Sequence, residues 1–213
     1  MNNELLNDLF PSVLSSEGKE EFLKSVPHRN IPGTDLVMTA AVSLDAGMVG
    51  TITNATLGQL AMTQKEVLDA AIRHQQERPY VLQSISEMIG MEIMPGVPEV
   101  LVLTNENQQM GAGELLNKEA LSAASERLGG DMYILPSSRH EVLLVPADTA
   151  EAEDLQRMVY QINRSVVSKE DRLSDHVYHY SAFDMRITDT IAKTMETAMD
   201  AESLSHSAGR RMA

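Results

Sequence analysis

Between Leu36 and Leu44 the residues Leu36, Met38, Ala40, Val42 and Leu44 share one face of a two-residue repeat, with Val37, Thr39, Ala41 and Ser43 on the other. That repeat predicts a strand. Asp45-Ala46-Gly47 can reverse the chain and Met48 to Thr53 return it, so the pair reads as a β-hairpin. The period then changes to three and four. Thr63 and Glu66 form a capping box, Met62 and Val67 occupy the staple positions, and Val67, Leu68, Ala71 and Ile72 make one helical stripe. Pro79 is expected to open a further helix lined by Val81, Ile85, Met88 and Ile89, which Gly90 ends before the break at Pro95, Gly96 and Pro98. Val100 to Thr104 is continuously apolar, as a strand buried on both faces would be. Asn117 caps a predicted helix with Leu121, Ala124, Ser125 and Leu128 inside, closed by Gly129-Gly130.

The stretch from Asp131 to Ser181 supplies several core elements at once. Met132 to Leu135 and Glu141 to Val145 read as strands around a Pro136-Ser137-Ser138-Arg139 link. Asp148 and Glu151 form a second capping box ahead of Leu155, Met158, Val159, Ile162 and Val166 at helical spacing. His176 to Ile187 reads as one strand, with His176, Tyr178 and Tyr180 on one face and Val177, His179 and Ser181 on the other. Adjacent β-β pairs mixed with β-α crossovers predict an α+β fold: a mixed, largely antiparallel sheet with helices packed on it. Residues 1–35 form a loosely attached lead-in with a short helix at Lys19 to Lys24, residues 36–183 one domain, and residues 184–213 a helix and a frayed polar tail.

At 213 residues, 43% hydrophobic and 23% charged, the chain can bury a core without staples. It has no cysteine, which removes disulfides, thiolate metal sites and a Cys nucleophile. The N-terminal stretch lacks the basic and apolar regions of a signal peptide, and no run approaches the length of a membrane span, so the expected location is the cytoplasm. A net charge of −14 opposes binding to nucleic acid or to an anionic membrane. It also admits an acidic decoy of a nucleic-acid-binding protein, although the carboxylates are interspersed with core positions rather than arrayed in runs.

Four segments, Ile52 to Ala71, Val100 to Leu116, Arg127 to Pro146 and Ile162 to Tyr180, agree in order and spacing with one pattern. On them the chain resembles a bacterial domain-of-unknown-function family, number 5688, over about residues 36–181. The resemblance implies a domain definition and no reaction, cofactor or partner.

The residue types of a hydrolase are present: Ser137 or Ser138 as nucleophile, His140, His176 or His179 as base, and Asp175 or Glu141 to orient it. There is no G-x-S-x-G elbow, and paired serines between strands are ordinary turn chemistry. His176 and His179 fall on opposite faces of a strand, so no metal is expected there. Met88, Met91 and Met94 recur at the spacing of a soft-metal site, but with Gly90 and Pro95 nearby they read better as an adaptable contact surface. Gly111-Ala112-Gly113 could present backbone N–H groups to an anion, without the lysine of a phosphate loop. The reading these signals favour is a non-catalytic, cofactor-free protein-interaction module that binds another protein through Tyr178 and Tyr180 or through the methionine segment.

Overall fold

The computed structural model describes residues 8–44, 48–91, 96–136 and 138–190, and two antiparallel sheets organise them. The first holds β1 (Leu9–Ser15), β2 (His28–Asn30), β3 (Leu36–Ser43) and β4 (Val49–Thr51), with β3 bonded to the other three. The predicted hairpin is the β3–β4 pair, Val42 opposite Gly50; its turn at 45–47 lies outside the described residues.

The expected loose lead-in is corrected. β1 runs along the whole of β3, from Leu9 opposite Val42 to Ser15 opposite Leu36, and Leu9 and Val13 are buried. Pro11 weakens the strand pattern in the sequence, yet β1 is an edge strand, where a missing N–H is tolerated. The short helix predicted there is α1 (Glu20–Ser25).

Between the sheets in sequence come α2 (Asn54–Leu60), capped by Thr53 and without a sequence forecast, and α3 (Gln64–Gln76). The α3 capping box forms as predicted: Glu66 N donates to Thr63 Oγ1 at 3.2 Å and Thr63 N to Glu66 Oε2 at 2.8 Å. Its Val67, Leu68, Ala70 and Ala71 close over Leu9, Met38, Ala40, Val42 and Ile52 of the first sheet, the apolar face that the alternation announces.

The second sheet has the order β10-β9-β7-β8-β6-β5, every neighbouring pair antiparallel. Its strands are β5 (Tyr80–Ser84), β6 (Leu101–Asn105), β7 (Met132–Leu135), β8 (Val142–Pro146), β9 (Tyr178–Ser181) and β10 (Arg186–Asp189). The α+β class holds, with two sheets in place of one and no parallel pair among the described residues. α5 (Lys118–Leu128) begins at Asn117, whose side chain accepts from Ala120 N at 3.2 Å.

Three local expectations are overturned. The helix expected after Pro79 is β5 followed by the short α4 (Ile85–Met88). Tyr80 and Leu82 pack on the core between the sheets, and an apolar run this short fits a strand as well as a helix. The single strand from His176 to Ile187 is a β9–β10 hairpin, Tyr180 opposite Ile187. α6 (Ala152–Ser165) starts from Glu151 with no side-chain cap, so the Asp148–Glu151 box does not form. Of its stripe, Leu155 and Val159 are buried, while Met158, Ile162 and Val166 face outward. The helix predicted beyond Thr188 falls mainly on residues 191–213, outside the described set. No helix among the described residues is long and apolar enough to cross a membrane.

A 3-10 helix, Gly111–Leu116, passes between the two sheets. A β-carbon on Gly111 would lie 2.1 Å from Thr104 Oγ1 and 2.3 Å from the His140 carbonyl oxygen; one on Gly113 would lie 2.4 Å from the Pro11 carbonyl oxygen. The glycines thus serve close backbone approach, not anion binding. They let Ala112 and Leu115 enter a core shared with Val13, Leu36, Leu103, Ile134, Leu144 and Tyr178. Gly111→Ala and Gly113→Ala are each expected to lower unfolding free energy by about 3 kcal/mol. Gly58→Ala, on the open side of α2, should leave it unchanged or raise it by up to about 1 kcal/mol. Urea unfolding of the three variants checks the contrast.

Candidate functional site

Among the described residues a polar cluster lies where the sheets meet. Asp35, just ahead of β3, accepts Ser15 Oγ at 2.6 Å, Ser174 Oγ at 3.2 Å and the hydroxyl of Tyr178. Ser15 belongs to the first sheet and Tyr178 to the second. His176 stands beside them: its Nδ1 is 2.5 Å from Asp189 Oδ2 and 3.7 Å from Asp35 Oδ1, and its Nε2 is 3.7 Å from Glu17 Oε1. Burial alone would lower the His176 pKa, but the Asp189 hydrogen bond and the charges of Asp35, Asp189 and Glu17 outweigh it and raise it. Burial, then the charge of Asp35, drives the Tyr178 pKa far up, so its hydroxyl keeps its proton and donates. Asp35, His176 and Asp189 offer ligand atoms within 4.8 Å of one another, yet the Asp35 oxygens are already used by three O–H donors. The set fits an imidazolium held between two carboxylates.

The other sequence candidates go to separate places. His140 Nε2 is 3.0 Å from Asp171 Oδ1, and Met110 N lies 3.4 Å from its Nδ1, which assigns the imidazole proton to Nε2. Ser138 is buried and its Oγ accepts from His140 N at 3.0 Å, a turn role; Ser137 lies outside the described residues. His179 packs edge-on against Tyr133 at 5.7 Å, its Nε2 3.3 Å from Asp131 Oδ2. Asp175 pairs with Arg164 at 2.9 Å and with Asn163 Nδ2 at 2.9 Å. The three imidazoles are thus held by three different carboxylates: Asp171, Asp189 and Asp131. None of those three, nor Asp35, carries a signal in the sequence, because nothing local says which distant histidine an aspartate will meet.

Tyr178 and Tyr180 do not form the expected contact surface for another protein. They are 0% and 2% exposed, in the core against Met132 and Ile134. Met88 and Met91 are exposed, at 54% and 59%, beside Ile89 at 62% and Val97 at 51%. Met94 lies outside the described residues.

A cleft of about 320 Å³ opens over the face of the first sheet opposite α3. Ser12, Leu14, Thr39 and Thr51 line its floor; the pairings of Ser12 with Thr39, Leu14 with Val37 and Ala41 with Thr51 put all four on one face. Lys19 and Phe22 come from the α1 region, and Arg139, Glu170 and Arg172 from loops of the second half. The Arg139 loop is tied to the last two through Arg139 N, which donates to the Asp171 carbonyl at 2.8 Å.

A family model described as a family of unknown function, DUF5688, matches residues 3–182. The match takes in β1 as well as the 36–181 span recognisable in the sequence. No curated protein and no solved structure matches the chain.

The raised His176 pKa fixes a sign. Its stabilising contribution is full below its ordinary value of 6.5 and is lost as pH rises through the higher folded-state value. His176→Gln should cost about 1–3 kcal/mol at pH 6 and flatten the decline of unfolding free energy above neutrality. Denaturant unfolding between about pH 6 and pH 9 measures it; an unchanged pH slope would show that His176 is not the linked group.

Proposed function

We propose that this chain, which belongs to the DUF5688 family of unknown function, is a non-catalytic recognition module that docks a protein partner through an apolar ledge of the exposed side chains Met88, Ile89, Met91 and Val97. One observation carries the reading. Met88, Ile89, Met91 and Val97 are 51% to 62% exposed within ten residues of chain, whereas large apolar side chains collected in this way usually mark an interaction surface. Methionine suits such a surface, because its unbranched side chain adapts to the shape that meets it.

The ledge is held from below. Ser84 N donates to Glu87 Oε2 at 2.9 Å, which fixes α4. Arg127 of α5 bridges Glu87 at 2.9 Å and Glu99 at 2.6 Å, one residue on each side of the exposed side chains. With net charge −14 on the chain, the fitting partner presents apolar side chains inside a basic rim. A hydrolase would instead need a hydroxyl, an imidazole and a carboxylate in one line, and Ser138 Oγ accepts the backbone N–H of His140 at 3.0 Å. A decoy would need carboxylates in rows, and Glu87, Glu99 and Asp175 are spent on arginines.

Photo-crosslinking from position 89 in the native host should yield one protein. With that protein purified, Met88→Glu together with Met91→Glu should weaken binding at least about tenfold, equivalent to about 1.4 kcal/mol, at unchanged thermal stability. Wild-type affinity in the double variant would remove the ledge from the interface.

A further inference from the structure

We propose that the cleft over the first sheet binds a small phosphomonoester, its phosphate held between Lys19, Arg139 and Arg172 and its organic body against Leu14 and Phe22. On a chain of net charge −14, three cations lining one concavity run against the overall field. Their hydrogen-bond partners are also uncharged. Arg139 Nε reaches Met110 Sδ at 2.9 Å and its Nη1 the Glu170 carbonyl at 3.3 Å; Arg172 Nε reaches the Val167 carbonyl at 3.2 Å. These acceptors are neutral, and a thioether is a weak one. Among the described residues no carboxylate lies within 4.0 Å of Lys19, Arg139 or Arg172.

The cleft's own lining favours an incoming anion. Burial lowers the Lys19 pKa and the neighbouring Arg139 lowers it further; burial lowers that of Arg139 as well, more than the charge of Asp171 raises it. Cations that are half-buried and repel one another gain from an anion placed among them. The lining itself carries three cations and one carboxylate, Glu170, a surplus of two positive charges, with Asp171 and Asp175 acting on Arg139 and Arg172 from outside it. A phosphomonoester, close to a dianion at neutral pH, matches that surplus, and a monocarboxylate does not. The guanidinium forks suit phosphate oxygens. At about 320 Å³ the volume is that of a site for a small molecule.

A more open depression of about 500 Å³ at Arg29, Gln64 and Lys65 lacks this property. Both of its cations are bonded to Asp69, at 2.7 and 2.6 Å.

Calorimetric titration of the full chain with phenyl phosphate, inorganic phosphate and phenylacetate tests the proposal. Phenyl phosphate should bind with a Kd of about 1 mM or tighter and raise the melting temperature. Inorganic phosphate should bind more weakly, and phenylacetate at least about tenfold more weakly. Lys19→Gln and Arg139→Gln should each weaken phenyl phosphate about tenfold, and Lys65→Gln should leave it unchanged. Because Arg139 also packs against Met110, Lys19→Gln keeps the test decisive if Arg139→Gln folds poorly. Absence of phenyl phosphate binding, equal binding of phenylacetate, or wild-type affinity in Lys19→Gln overturns the proposal.

Discussion

The carboxylate of Asp35 is the bond between the two sheets. It takes hydrogens from Ser15 at the end of β1, from Ser174 and from Tyr178 in β9, so both sheets contribute donors to one nearly buried charge. Such a group is costly to bury alone and tolerable only when its lone pairs are filled. The sheets must therefore sit where those hydroxyls reach it. His176, its pKa raised by the neighbouring carboxylates against the effect of burial, adds an imidazole at the same place. The 3-10 helix completes the arrangement, since Gly111 and Gly113 let backbone from β6, from the His140 turn and from β1 close on it.

That joint also shapes the cleft. Ser15 adjoins Leu14 on the cleft floor, and Ser174 follows Arg172 on its wall by two residues. His140 and Asp171 bond to each other, and each is the sequence neighbour of a cleft arginine, Arg139 or Arg172. Of the residues that look like parts of a hydrolase in the sequence, His140 thus stands next to a cleft cation, in a bond that ties its turn to the loop of Arg172.

Much of this is legible along the chain, and the illegible parts share a cause. The α3 capping box, the β3–β4 hairpin, the Asn117 cap and the β7 and β8 strands follow from local chemistry that operates within a few residues. β1 is hidden because Pro11 interrupts a short apolar run and its partner β3 lies far along the chain. Tyr178 and Tyr180 look half-exposed because their alternation with His179 resembles a solvated face, but the first sheet covers them. The pairs Asp35–Tyr178, His176–Asp189 and His140–Asp171 join residues 143, 13 and 31 positions apart, and no period or cap encodes such meetings. The cleft is hidden for the same reason, since its cations come from three distant segments.

A double-mutant cycle on Asp35→Asn and Tyr178→Phe, read as unfolding free energy in denaturant at neutral pH, tests the joint most directly. If the Tyr178 hydroxyl and the Asp35 carboxylate act as one unit, the two losses are non-additive, with a coupling of at least about 1 kcal/mol. Losses that add to within about 0.3 kcal/mol would contradict the account.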